Sequence, residues 1–197
     1  RVTMPSPERL VIVGGGVAGF RMAENLAQGG YSGTVTVIDA DPVFACNRPL
    51  LSKAYLEGAA ERSELTLPAR HGDRYTVMTA HADSVDRDSG IVHTSAGPVS
   101  YDRLVVAAGL TPRLLHTDGT IPQIGLSTLH DVEHLRDRID QGERITVVGG
   151  GTLALEAASS LTTLGARVTL VTRSDRPLRR MVGSHIAYDI AMRMQTA

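Results

Sequence analysis

The sequence predicts an α/β fold built on parallel strands, and three observations carry that prediction. An apolar strand, a glycine turn, a helix and a second apolar strand occur in succession twice. The first copy runs Leu10-Val11-Ile12-Val13, Gly14-Gly15-Gly16-Val17-Ala18-Gly19, then Val35-Thr36-Val37-Ile38-Asp39. The second runs Ile145-Thr146-Val147-Val148, Gly149-Gly150-Gly151-Thr152-Leu153-Ala154, then Val168-Thr169-Leu170-Val171-Thr172. Short Val/Ile/Leu runs alternate with Ala-rich helices, the pattern of a buried parallel sheet. With no Trp and 2 Phe, the core must come from Val, Leu, Ile and Ala.

Each turn has the chemistry of a dinucleotide cradle. The first glycine permits the tight turn, the second lets a pyrophosphate approach bare backbone, and the third lets helix and strand pack closely. The helix then aims free N–H groups and its positive dipole end at the phosphates. Gly14, Gly16 and Gly19 fill these places in the first copy, with Val17 and Ala18 at the mouth of the helix. Gly149, Gly151 and Ala154 fill them in the second, with Thr152 and Leu153 at the mouth. Two complete frames point to a protein holding two dinucleotides, a combination belonging to flavin electron-transfer chemistry.

The end of each second strand selects the sugar. Asp39 closes the first, where a carboxylate can accept two hydrogen bonds from a ribose diol. Thr172 closes the second without a carboxylate, and Arg173, Arg176, Arg179 and Arg180 follow. Guanidinium groups bind phosphate in a bidentate way, so this cluster favours a 2′-phosphate. A solvated basic loop is the alternative reading.

Composition narrows the class. The chain has 197 residues, net charge −1 and 42% hydrophobic content, as expected for one or two globular domains. Nothing is basic enough for a nucleic-acid footprint. No apolar run reaches the roughly 20 residues of a membrane helix. The start lacks a signal-peptide layout, and Arg1-Val2-Thr3 ahead of Met4 read as additions to the natural start. With Cys46 as the single cysteine, no intrachain disulfide forms, and a cytoplasmic location is expected.

The remaining elements follow in order. A helix is expected over Val17 to Gln28, with Ala18, Met22, Leu26 and Ala27 on one face and Gly29-Gly30 ending it. Ser52 is expected to cap a further helix. Val77 to Val85 and Gly90 to Val99 read as strands joined by an Asp88-Ser89-Gly90 turn. Leu104 to Gly109 reads as a buried strand whose small end residues leave room for a cofactor. Thr117 to Gly125 reads as an interdomain connection, Asp131 to Gln141 as a helix ended by Gly142, and Arg180 to Met194 as a last helix. Apolar spacing gives that last helix a face of Met181, His185, Ile186, Ile190 and Met194.

Four motifs, VIVGGGVAGFRMAENL, NRPLLSK, YDRLVVAAGLTPR and ITVVGGGTLALEAA, resemble the FAD-dependent pyridine nucleotide–disulfide oxidoreductase superfamily, in particular its ferredoxin reductase branch. The resemblance extends over nearly the whole chain from Leu10 and matches the N-terminal half of such proteins. It implies a Rossmann-like FAD-binding domain, a parallel sheet plus an antiparallel hairpin, as the first segment over 1–116. The first part of a Rossmann-like NAD(P)-binding domain follows over 117–197. It implies that Gly14, Gly16 and Asp39 hold the ADP half of FAD. Arg48, Pro49 and Lys53 would line the flavin, with Lys53 near its N5 edge, and Ala80 would face the adenine. Ala107, Ala108 and Gly109 match the family's Ala-Thr-Gly strand end. Gly149, Gly151 and Thr152 would hold NAD(P)H, and Glu156 matches a helix glutamate near the nicotinamide.

The implied activity passes hydride from NAD(P)H to FAD, then electrons to a ferredoxin- or rubredoxin-type acceptor. An NAD(P)H oxidase or nitrite reductase-type flavoprotein is an alternative; so is a non-catalytic cofactor-binding or scaffold subunit. Members of the family are about twice as long. A fragment, a chain completed by a second polypeptide and a reduced relative are therefore all open, and loose FAD binding by this chain alone is expected. Ser127 stands where the family often places an FAD-touching arginine. Cys46 is expected to be structural. His130-Asp131-Val132-Glu133-His134 has the spacing of an inverted zinc motif, but no third ligand is evident and no metal is expected.

Overall fold

The computed structural model describes residues 8–140 and 142–195; Arg1-Val2-Thr3, and Gln141 at the expected end of its helix, lie outside them. The chain divides into two compact units. One comprises the residues up to Asn47 together with Ser63–Thr111, and the other Arg48–Arg62 together with the residues from Pro112 onward.

The first unit is organised on a four-stranded parallel sheet. Strands β1 (Arg9–Val13), β2 (Thr34–Asp39) and β3 (Thr76–Thr79) are joined by β7 (Arg103–Val106) in the order β3-β2-β1-β7. Alternation along β1 and β2 builds both faces. Leu10, Ile12, Val35 and Val37 form one core with Ala23, Leu26 and Ala27 of helix α1 (Val17–Gln28). Val11 and Ile38 point the other way, against Val92 and Val99 of an antiparallel meander, β4 (Ala82–Asp86), β5 (Ile91–Thr94) and β6 (Gly97–Ser100). Helix, parallel sheet and meander thus form three layers.

Several expectations are corrected in detail. On α1 the buried residues are Gly19, Phe20, Ala23 and Glu24, whereas Ala18 and Met22 are exposed. The expected strand Val77–Val85 is two strands: β3 makes its last bond to β2 through the Ala80 N–H on the Asp39 carbonyl (2.9 Å), and from Ala82 the chain pairs with β5 instead. The strand Gly90–Val99 likewise folds back, at Ser95-Ala96. The Asp88-Ser89-Gly90 turn forms as expected; Asp86 accepts the Asp88 and Ser89 amides, and Gly90 has φ +63°. The strand after Tyr101 is an edge rather than buried: Val106 is 70% exposed.

The second unit holds a parallel pair, β8 (Arg144–Val148) and β9 (Arg167–Val171), linked through α3 (Thr152–Thr163). Helix α2 (Leu129–Asp140) precedes them and starts two residues earlier than expected. Thr128 caps it: the Asp131 carboxylate accepts the Thr128 N–H (2.8 Å) while Thr128 Oγ1 accepts the Asp131 N–H (3.2 Å). Ser127 donates to the same carboxylate, so it serves the cap. Gly142 ends the helix at φ +73°. The last element, α4 (Arg179–Gln195), is broken at Gly183 (φ 78°, ψ 170°). Its expected apolar face is not the packed one: Met181, His185 and Ile186 are exposed, while Ala187 is fully buried. No helix among the described residues is long and apolar enough to cross a membrane.

Candidate functional site

In the first unit the chain leaves β1 at Gly14, whose φ is +103° and whose N–H bonds the Ile38 carbonyl at 2.7 Å. A Cβ at Gly14 would overlap the Ala107 carbonyl, and one at Gly19 would overlap the carbonyl oxygen of Gly14 itself. These contacts are backbone on backbone, so neither position admits a side chain. Gly15 is constrained too, by side chains rather than backbone, a feature the three-glycine pattern passes over. A Cβ there would strike the Asp39 carboxylate and lie 2.7 Å from the Phe44 ring, and the Gly15 carbonyl accepts the Ala45 N–H (3.0 Å).

Gly16 behaves differently. Nothing lies within 4 Å of a Cβ there, and this residue begins α1 with no side-chain cap. The mouth at Val17, Ala18 and Gly19 keeps its first N–H groups for an incoming acceptor. Asp39 ends β2 beside this turn, and its Oδ1 accepts the Asp41 amide at 3.4 Å. Ala107 donates to the Val13 carbonyl (2.7 Å), which brings the end of β7 beside the glycines. Ala108 and Gly109 are exposed, and Gly109 turns the chain at φ +72°. Ala80 is buried against Ile38 and Val92.

Behind this turn α1 is pinned by a buried carboxylate. Glu24 accepts the N–H groups of Arg70 (2.9 Å) and His71 (3.2 Å) and the Tyr75 hydroxyl (2.9 Å), with the His71 ring at 3.4 Å. Burial pushes its pKa up, but the hydrogen bonds outweigh burial and hold it below the ordinary glutamate value. The Tyr75 hydroxyl is driven far up by burial and by Glu24.

The second unit repeats the turn more openly. The Gly149 N–H bonds the Val171 carbonyl (2.9 Å), and the Gly150 carbonyl accepts Leu178 N–H (2.7 Å). Gly151 begins α3 with no side-chain cap and with open space around it. Thr152 and Leu153 are exposed at the mouth. Ala154 stands where the first copy has Gly19, and its methyl would sit 3.1 Å from a Cβ on Gly149. A cavity of about 420 Å³ adjoins this turn, bounded by Gly150, Gly151, Arg173, Ser174, Arg179 and Arg180. Arg176 is occupied elsewhere, on the Ser184 carbonyl (3.3 Å) and over the Tyr188 ring (4.9 Å).

Also in this unit, the segment 48–62 packs on α2 and α3. Arg48 and Pro49 lie exposed in a 3₁₀ turn, Arg48–Leu50. The helix expected at Ser52 is absent, replaced by successive turns. Ser52 does not cap but bonds α3: its carbonyl lies 3.0 Å from Ser160 Oγ, and its hydroxyl 3.4 Å from Glu156. Ser160 Oγ also reaches Glu57 at 2.6 Å, and Tyr55 and Arg62 both reach Glu133 at 3.4 Å. This arrangement pairs Lys53 Nζ with Glu156 Oε1 at 3.0 Å, both partly exposed. Two residues expected at the chemistry, 103 positions apart, thus meet in one unit.

Cys46 is buried. The His130 and His134 rings stack at 6.2 Å, and among the described residues no group of His, Cys, Asp and Glu is arranged for a metal.

Two strand-turn-helix units with uncapped glycine mouths define a dinucleotide-binding α/β protein. Residues 8–197 match the pyridine nucleotide-disulphide oxidoreductase family, and the chain belongs to it. It is 34% identical to rhodocoxin reductase of Rhodococcus erythropolis, covering 95% of this chain and 48% of that protein. It is 30% identical to a rubredoxin-NAD(+) reductase of Pseudomonas putida, covering 94% and 50%. The structure of a covalent putidaredoxin reductase–putidaredoxin complex superposes with TM-score 0.85 at 29% identity, covering 97% of this chain and 48% of that one. The chain spans about half the length of the curated relatives it matches.

A more distant structure shares the fold, with TM-score 0.82 at 23% identity: an engineered water-forming NADPH oxidase bound to NADPH. Its parent, from Lactobacillus brevis, is a water-forming NADH oxidase. The engineered protein replaces glycine by alanine, and aspartate by alanine eighteen positions later. The next two positions change from alanine to arginine and from methionine to serine, and one five further on from proline to arginine.

Proposed function

We propose that the first cradle holds FAD and the second NAD(P)H, in a reductase that hands electrons to a ferredoxin- or rubredoxin-type carrier. The observation that carries this reading is the pair of helix mouths, uncapped and open at Gly16 and Gly151, with Asp39 closing the strand after the first. When bound, the flavin would supply hydride acceptance from the pyridine nucleotide and release of single electrons. The chain's part is to bind and orient. Gly14, Gly16 and the N–H groups of Val17, Ala18 and Gly19 present bare backbone to a diphosphate, and Asp39 accepts from a diol. Ala80 flanks the adenine side, and Ala107, Ala108 and Gly109 keep the approach free of bulk. In the other unit Gly149, Gly151, Thr152 and Leu153 form the corresponding mouth, with Arg173 at its rim.

From the resemblance, Lys53 would offer positive charge to the flavin, and Arg48 and Pro49 belong to the same motif. Glu156 fixes the lysine through their ion pair. No general acid or nucleophile is required; positioning and electrostatics suffice. We read 1–116 as the first FAD-binding segment and 117–197 as part of the NAD(P)-binding domain, in a cytoplasmic protein. Ala154, Thr172, Arg173, Ser174 and Arg179 have the spacing of the five positions replaced in the engineered NADPH oxidase, and four of them carry the same residue type. This supports a pyridine nucleotide at the second turn.

Titration of FAD into the chain, followed by flavin fluorescence, tests the proposal. Saturable binding that weakens at least about tenfold in Gly16→Val supports it, since that Cβ enters open ligand space. Binding indifferent to this substitution removes the first cradle from the argument.

A further inference from the structure

The second cradle differs from the first where a pyridine nucleotide would place its adenosine ribose. β1–α1–β2 ends in a carboxylate, Asp39; β8–α3–β9 ends in Val171-Thr172 with none. The Thr172 hydroxyl is turned back onto the Ser174 carbonyl at 2.6 Å, so it is committed within the loop. Beyond it the chain curls under the turn, tied by the Leu178 amide to Gly150, and this curl borders the open cavity of about 420 Å³. Arg173, Arg179 and Arg180 line that cavity together with Gly150 and Gly151. Among the described residues Asp175 is the one carboxylate ion-paired with this cluster, through Arg179 at 2.7 Å. Arg173 and Arg180 make no ion pair among the described residues. An excess of guanidinium charge, beside a helix mouth and around a void, fits a ligand with a further phosphate rather than a free diol.

Resting on the reading that this turn takes a pyridine nucleotide, we propose that the cavity holds a 2′-phosphate and makes the second site selective for NADPH over NADH. Arg173 and Arg180 supply the phosphate contacts. Arg179, anchored by Asp175, is a positioning residue that lines the pocket wall. Such selectivity sets this chain apart from the relative named as an NAD(+) reductase.

Calorimetric titration of the chain with NADP(+) and with NAD(+) separates the two propositions. The expected result is NADP(+) binding at least about tenfold tighter, the size of one lost charge-assisted contact. In Arg180→Ala, NADP(+) affinity falls about tenfold while NAD(+) affinity holds, and in Arg173→Ala NADP(+) loses at least about tenfold more affinity than NAD(+). Thr172→Glu, which installs the missing carboxylate, reverses the order. NAD(+) binding as tightly as NADP(+) overturns the selectivity and leaves the pyridine-nucleotide reading standing. Failure of both nucleotides to bind overturns both. A circular-dichroism melt of each variant shows that the fold is kept, and 2′,5′-ADP against 5′-AMP repeats the comparison on the adenosine half alone.

Discussion

The two glycine turns share a motif but not a constraint. In the first, a side chain on Gly14, Gly15 or Gly19 would meet the Ala107 carbonyl, the Asp39 carboxylate or the Gly14 carbonyl. In the second, a Cβ on Gly149 meets only the Ala154 methyl at 3.1 Å, one on Gly150 meets Thr172 at 3.5 Å, and one on Gly151 meets nothing. The first turn therefore needs its glycines to close the protein's own packing. The second needs them for backbone conformation and for whatever enters from outside. One sequence signature thus records two physical demands, and substitution distinguishes them.

The largest contrast is expected at the third glycine. Gly19→Ala forces its methyl against backbone that cannot rotate away, and should cost about 3 kcal/mol or more in chemical denaturation. The mirror change, Ala154→Gly, should cost no more than about 1 kcal/mol, the helix propensity difference. Equal losses would erase the contrast. At the second glycine, Gly16→Val and Gly151→Val should leave the melting temperature within about 3 °C of the parent, because both positions face open space. A large drop at either would mean that the mouth packs on the chain itself.

The helices behind the turns are also anchored unequally. Glu24→Ala on α1 leaves the Arg70 and His71 amides and the Tyr75 hydroxyl without their acceptor, and should cost about 2–4 kcal/mol. Ser160→Ala on α3 should cost about 1 kcal/mol. Because the folded-state pKa of Glu24 lies below its unfolded value, its contribution is full above the unfolded glutamate value and is lost as pH falls through the folded one. The stability gap between the parent and Glu24→Gln should therefore narrow on acidification, read from melting temperature against pH. A gap that is flat or widens would show that the carboxylate is not favoured in its charged form. The smallest effect belongs to Lys53→Met, at most about 1 kcal/mol on stability, since its ion pair with Glu156 is solvent-exposed.

Much of this was legible from local pattern. Apolar runs and glycine placement give β1, α1, β2, β8 and β9 with their bounds nearly right and the start of α3, because strand, turn and helix follow one another within each copy. Elements ended by tertiary contacts were not legible. No breaker marks Ala80, yet the chain pairs with β2 before it and with β5 after it, so the strand is split. Ser52 is a good capping residue in isolation, but the bonds of its segment to Ser160, Glu133 and Glu156 hold turns in place of a helix. The kink at Gly183 had a signal, a glycine inside a helical stretch, which the apolar spacing masked. In the site, Gly15 was missed because its partner is Asp39, twenty-four residues away, and Ser174 because a lone serine after an arginine has no pattern of its own.

The position of β1 bears on how this chain is made. Strand β1 is central in its sheet, yet one neighbour, β7, pairs Val106 with Val13 more than ninety residues later. During synthesis β1 and β2 emerge early, with Val11, Ile12 and Val37 unable to complete their layer until the ribosome passes Val106. Over that interval the nascent chain carries an open strand edge able to pair with another chain. Expression fragments ending before Arg103 leave β1 as that edge and should go into inclusion bodies in larger share than fragments that include β7, which moves the edge outward to a shorter strand.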